Sequence, residues 1–136
     1  MSLSSVAQTA MSGISAAQSM MRVIANNMAN SQTPGFKASK PSLATQPPQT
    51  ASLGAAPSAG SGGSNPVQIG NGVRVAGIST DFTQGSITAG GVELSNVDVG
   101  ENLIGMSQAS NLFRANMAVL DTTDELLDEL IHLGRE

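Results

Sequence analysis

At 136 residues the chain has the length of one small domain; it contains no Trp, Tyr or Cys, and its three Phe are Phe36, Phe82 and Phe113. The absence of Cys excludes a disulfide framework and thiolate chemistry, and six basic against ten acidic residues, a net charge of −4, exclude the basic patch of a nucleic-acid binder. No window approaches the ~20 apolar residues of a membrane span, and Met1 to Gln8 lack the basic start and apolar run of a cleaved secretion signal. The apolar content is Ala, Met, Leu, Ile and Val rather than aromatic, which suits helix–helix seams better than one dense core. Such a chain is expected to gain stability from neighbours.

The first predicted element is a helix over residues 3–30. Leu3, Ala7, Ala10, Ile14, Ala17, Met21, Ile24 and Met28 step by four and three alternately, a heptad seam in which every position is apolar. Ala at three of these positions permits a close helix partner. Arg22 is the only charged residue of the segment, so its outer surface is Ser, Thr, Gln and Asn, as suits a helix surrounded by protein. Gly13 marks either a close approach or a weak point. The helix is expected to end near Asn30, because Thr33-Pro34-Gly35 is turn chemistry.

Residues 1–36 therefore form an N-terminal helical unit with its turn, and residues 37–66 a Pro/Gly/Ser-rich linker. Pro41, Pro47, Pro48, Pro57 and Pro66 punctuate that linker, which reads as a passive tether or as a loop ordered against neighbours. Residues 67–95 form a short β region. Val67, Ile69, Val73, Val75 and Ile78 are β-branched with partial alternation, and Gly70-Asn71-Gly72 interrupts them as a hairpin turn would. Two or three short strands are expected, too few to stand alone.

Residues 96–136 form a long C-terminal helix, capped at Asn96 or at Asp98 with Glu101 three residues on. Its seam runs Val99, Leu103, Met106, Ser110, Phe113, Met117, Leu120, Asp124, Leu127, Ile131. A second stripe, Leu112, Val119, Leu126, Leu133, points to more than one partner helix. The last turns are acidic, and Gly134 suits the C-terminal cap. The expected fold is mainly α with a small β region: the two long helices pair as a coiled-coil-like hairpin, with the middle of the chain hanging off one end.

Little in the chain offers chemistry. His132 is the only histidine and has no thiol to share a metal with, so no metal or cofactor site is expected. The acids at 124–125 and 128–129 read as a solvated helix face rather than a general acid–base pair, and no Ser sits in a Gly-x-Ser-x-Gly elbow. Gly70-Asn71-Gly72 lacks the rest of a phosphate loop. The Met residues suit a seam that meets non-identical neighbours. Asn26, Asn27 and Asn30 form a polar cluster that either frays the helix end or fixes it to its surroundings; Asn96 and Asn116 pose the same alternatives. On the second alternative, alanine at Asn27 and Asn30 abolishes assembly and spares export.

Three segments carry a family resemblance. Ala25-Asn26-Asn27-Met28-Ala29-Asn30 with Thr33-Pro34-Gly35-Phe36-Lys37 is similar to the N-terminal signature of the bacterial flagellar axial proteins, the rod and hook subunits. Gly72-Val73-Arg74-Val75 with Ile78 and Asp81-Phe82-Thr83-Gln84-Gly85-Ser86-Ile87 resembles the segment that follows it in hook and distal-rod proteins. Ser95-Asn96-Val97-Asp98-Val99, Ala115-Asn116 and Leu120-Asp121-Thr122-Thr123 resemble the C-terminal signature. The resemblance implies a non-catalytic subunit whose terminal helices build a tube around an export channel. It also implies partners among its own copies and other rod and hook proteins, and passage, unfolded and uncleaved, through the flagellar type III apparatus to the basal-body rod spanning the periplasm. The short chain most resembles proximal-rod subunits of the C type; its middle segment looks more like hook or distal-rod proteins. The subunit-interface residues expected on this reading are the apolar seam positions together with Asn27 and Asn30. Rival readings are a secreted membrane-active helical protein, which would lack the usual Lys, Arg and bulky aromatics, and a small enzyme built on His132 or the acidic run.

Overall fold

A computed structural model describes residues 3–47 and 71–134. The elements run α1 (Leu3–Ala29), β1 (Ser39–Thr45), β2 (Val73–Thr80) and α2 (Val99–Leu133). The fold is mainly helical with one small antiparallel sheet, as the sequence predicts. At ~1.5 Å per residue α1 is roughly 40 Å long and α2 roughly 52 Å. Asp98 caps α2, its carboxylate accepting from Glu101 N at 3.0 Å. Gly134 ends it with φ −80°, so the cap uses ordinary helical backbone. α1 ends at Ala29, and Gly35 takes a positive φ of 72° in the turn beyond.

The two helices pack antiparallel in a single register. A Cβ added to Gly13 would sit 2.6 Å from the Asn116 amide, and one added to Gly105 would sit 3.1 Å from Ile24 Cδ1. Asn27 Nδ2 meets Asn102 Oδ1 at 3.1 Å. Moving 11 residues up α1 from Gly13 to Ile24 matches 11 residues down α2 from Asn116 to Gly105, and three more reach Asn27 and Asn102. The glycine at 13 is thus a point of close approach. The tight seam is lined by small residues: Ala10, Ala16, Ala17 and Ala109 are all buried. Carried on to Leu3, the register brings the start of α1 level with Leu126, so the last turns of α2 project beyond it.

This seam differs in phase from the one the heptads predict. On α1 the shared positions are Ala10, Ala17 and Ile24, but Gly13 and Asn27 are buried where Ile14 and Met28 were expected. On α2 Met106, Phe113 and Leu120 are half-buried as the heptad requires. The alternate positions are the buried Ala109 and Thr123 and the half-buried Asn102 and Asn116, rather than the exposed Leu103, Met117 and Asp124; Ser110 is half-buried beside Ala109. Small and amide side chains let the backbones approach; of the larger apolar neighbours one position along, Leu103 and Met117 are exposed, and Ile14 and Met28 stay half-buried beside the seam.

The middle of the chain corrects two expectations. Ser39–Thr45, assigned to the linker, is a strand, and it is the partner of β2. Pro41 obscures it in the sequence, since proline lacks a ladder N–H; a two-stranded sheet has only edges, where proline is tolerated. A bulge between Ser42 and Leu43 shifts the register, so that Ser42 pairs with Gly77 and Leu43 with Val75. The sheet does not hang off one end but lies back along α1. Its near end sits at Asn27, which bonds Ser39, and its far end at Ser12, whose Oγ accepts from Val73 N at 3.1 Å. The lengths agree: Ser12 to Asn27 spans ~22 Å of helix, and Val73 to Thr80 ~23 Å of strand. A smaller turn follows, closed by the bridge between Ile87 and Glu93. The expectations for Val67, Ile69, Gly70 and the linker from residue 48 on lie outside the described residues.

Candidate functional site: a junction pinned by asparagines and the apolar faces around it

One part of each of the three sequence segments singled out above meets at the junction of α1, α2 and the sheet: Asn27 with Lys37, Asp81 with Thr83, and Asn96. Ala38 and Ser39, consecutive and leading into β1, are held from two sides. Asn27, buried at 3% exposure, accepts from Ser39 N at 2.9 Å and donates to Ser39 O at 2.8 Å, so its amide pairs with the peptide as a neighbouring strand would. Asn96 accepts from Ala38 N at 2.7 Å and donates to Asp81 O at 2.8 Å and Thr83 O at 2.9 Å. Asp81 N closes the ring on Ala38 O at 2.7 Å. A backbone that bends here cannot satisfy its own polar groups in a regular ladder, and asparagine, with two donors and an acceptor on a short stem, replaces that ladder.

Two ion pairs brace the rim. Lys37 Nζ bonds Glu93 and also Thr83 O at 3.0 Å. The Lys37 bond, and then the Gly85 N–H, hold the Glu93 carboxyl below its ordinary pKa. Lys40 and Glu101 pair at 3.1 Å in the open, and that hydrogen bond raises the Lys40 ammonium pKa. The Asp81 carboxyl is lowered by the Thr83 hydroxyl and then by the Thr83 N–H. These contacts fix geometry, and none presents a nucleophile beside a base. Among the described residues no group of three or more His, Cys, Asp or Glu is placed to hold a metal ion, and no helix is long and apolar enough to cross a membrane.

The predicted interface residues fall into three groups. Ala10, Ala17 and Ile24 are buried between the helices of the same chain, and Leu3, Ala7, Ile14, Met21, Met28, Met106, Phe113 and Leu120 flank that seam half-buried. Val99, Leu103, Met117, Leu127 and Ile131 are exposed, along with Ile104, Leu126, Leu130 and Leu133. The two asparagines separate: Asn27 is central to the junction, whereas Asn30 makes a local cap to Asn26 O at 3.0 Å. Asn102, Lys37, Asp81 and Glu93 were not anticipated. Only the i, i+4 spacing of Asn102 to Asp98 hinted at the first of them; Lys37 and Glu93 meet across 56 residues, and Asp81 is tied to the junction through its backbone N–H and carbonyl while its carboxylate bonds Thr83 two residues on.

The comparisons with known proteins match both ends of this arrangement. Residues 8–37 match the family model described as "Flagella basal body rod protein", and residues 88–133 match "Flagellar basal body rod FlgEFG protein C-terminal". The chain is 32% identical over 115 residues to the flagellar hook protein FlgE of Borreliella burgdorferi, covering 84% of this chain and 26% of that protein. It is 40% identical over 93 residues to FlgE of Escherichia coli, 68% of this chain and 19% of that one. It is 36% identical over 55 residues to the flagellar basal-body rod protein FlgG of Bacillus subtilis, 40% of this chain and 21% of that one. The chain thus spans about a quarter or less of the length of these relatives. With the two matched regions falling on α1 and α2 and meeting at the asparagine junction, the chain belongs to the rod and hook axial protein family of the bacterial flagellum.

Proposed function

We propose that the chain is a non-catalytic structural subunit of the flagellar rod, polymerising through α1 and α2 into the axial tube that transmits torque and encloses the export channel. The observation that carries this reading is the apolar surface left on α2 after it has packed on α1. Leu103, Ile104, Leu126, Leu130, Ile131 and Leu133 are each more than half exposed. Each such side chain gains ~1.5–3 kcal/mol on full burial, so covering these six favours association by the order of 10 kcal/mol before ordering costs. The stripes face more than one direction, as a helix in a tube of neighbours requires. Its partners are copies of itself and other rod and hook proteins, and export proceeds through the flagellar type III apparatus. The similarity to hook proteins named FlgE favours a second reading, a hook subunit. Deleting the gene and imaging basal bodies by electron microscopy separates the two: missing or truncated rods place the subunit in the rod, complete rods without hooks place it in the hook, and normal motile flagella overturn both.

A further inference from the structure

Among the described residues there are two ion pairs, Lys37 with Glu93 and Lys40 with Glu101, both at the junction. The charges away from the junction fall on two separate outer surfaces. Arg22 is the only charged residue of α1, and it is exposed. Asp121, Asp124, Glu125, Asp128 and Glu129 crowd the last turns of α2, and all are exposed. The close approach of Gly13 to Asn116 fixes where these charges lie. Arg22 is nine residues beyond Gly13, and Glu125 is nine residues beyond Asn116. Nine residues make about two and a half helical turns, so each charge sits on the face of its helix opposite the seam. Those two faces are the opposite outer sides of the helix pair. Because the helices are antiparallel, the two counts run in opposite directions, which separates Arg22 from Glu125 by the equivalent of 18 residues, roughly 27 Å along the pair.

The acidic band does not serve its own helix. Asp121 with Glu125, Asp124 with Asp128, and Glu125 with Glu129 are like charges four residues apart, which repel. All five lie toward the C-terminal end of α2, where the helix dipole favours cations. The last of these turns also project past the start of α1, open to a neighbour. A second copy laid against this face without displacement sets its Arg22 level with Ser107, and Arg114, about two turns from Ser107 on the same face, is then the charge it meets. The acids are left against the uncharged start of α1. A displacement of roughly 27 Å sets Arg22 level with Glu125 instead. The same displacement brings the exposed Ala29 level with the exposed Ala118, so small side chains face each other where the charges meet.

We infer that neighbouring copies pack front to back, the outer face of α2 on the outer face of α1 of the next copy, with an axial stagger of roughly 27 Å that lays Arg22 on the acidic band. This rests on the axial-subunit reading, which gives neighbours one polarity, and supplies it with a stagger. The two faces are opposite sides of one chain, so the contact is heterologous: each copy that receives an arginine still offers its own. Such a contact generates an open array rather than a closed dimer.

Charge exchange tests the pairing. E125R/E129R is expected to melt at or above the temperature of the unaltered chain, because it relieves like-charge repulsion within α2, yet to lower the amount of chain assembled into flagella of the gene-deleted strain by about tenfold or more. R22E is expected to melt as the unaltered chain does and to assemble as poorly. R22E/E125R/E129R is expected to recover most of the loss. Thiol trapping reads the stagger, and the absence of native cysteine makes it specific. A29C and A118C chains with different tags, co-expressed and oxidised in flagella, are expected to give a disulfide-linked product carrying both tags, whereas A29C with L103C, near-level in an unstaggered pair, gives none. With the unaltered tagged chain present in the flagellar axis, a triple variant that assembles no better than its parts, reversals that assemble normally, or trapping to L103C in place of A118C overturns the staggered pairing and leaves the axial reading standing. Absence of the unaltered tagged chain from the flagellar axis overturns both.

Discussion

Replacing Asn27 by Ala removes three hydrogen bonds from a site of 3% exposure: two to the Ser39 peptide and one to Asn102 Oδ1. Ser39 and Asn102 are half-buried, so water restores part of what is lost. At a net ~0.5–1.5 kcal/mol for each bond, the expected destabilisation is about 2–4 kcal/mol, a large share of the 5–15 kcal/mol that holds a typical domain. With a urea slope of ~1–3 kcal/mol per molar, the unfolding midpoint falls by the order of 1–2 M. The assay is urea titration of the purified chain followed by far-ultraviolet circular dichroism. Asn30→Ala is the internal control; its amide makes one exposed bond to Asn26 O and one to the Thr33 hydroxyl, so the loss stays below about 1 kcal/mol. Asn27→Asp separates hydrogen bonding from size. It keeps the acceptor for Ser39 N but turns a carboxylate oxygen toward Ser39 O and Asn102 Oδ1, and is expected to destabilise at least as much as Ala at neutral pH. An Asn27→Ala midpoint no lower than that of Asn30→Ala refutes the pinned-junction account.

Three further outcomes follow from the geometry. Gly13→Ala places a Cβ 2.6 Å from the Asn116 amide, forcing that side chain off its bond to Leu112 O, while adding ~1 kcal/mol of helix propensity; the double variant with Asn116→Ala keeps the gain without the clash and unfolds at higher urea than Gly13→Ala alone. Gly72 combines φ 88° with a Cβ position 2.0 Å from Ser12 Oγ, so Gly72→Ala is expected to lose 1 kcal/mol or more, by roughly the 1–2 kcal/mol of left-handed strain alone, and to weaken protection of Val73 N in hydrogen exchange. Because the Glu93 pKa is lowered in the fold, the Lys37–Glu93 contribution is fully present above the ordinary glutamate value of about 4.3 and is lost as pH falls through the lowered one. Glu93→Gln should therefore flatten the stability–pH curve in that acid window and leave its shape near neutrality unchanged, as read from thermal melts across pH.

Local chemistry determined much of this protein before any tertiary contact is considered. Apolar residues at steps of three and four fix α1 and α2 as helices, because that spacing repeats with the helical turn. Asp98 with Glu101 sets the start of α2, and Thr33-Pro34-Gly35 sets the turn after α1, since capping and turn preferences act within a few residues. The signature asparagines were visible as a cluster, and Asn27 carried the assignment further than Asn30. Only the tertiary structure decided which face of each helix turns inward. The sequence offers adjacent stripes on both helices, and the antiparallel pairing selects the one with Gly13, Gly105 and Ala109, because close approach rewards small side chains over large ones. β1 was hidden for a related reason: Ser39–Thr45 has strand character only once β2, some 30 residues later, pairs with it and α1 covers one side. The same holds for Lys37 with Glu93 and for Asn96 with the turn that displays Phe82, contacts between residues whose distance along the chain leaves no local pattern to read.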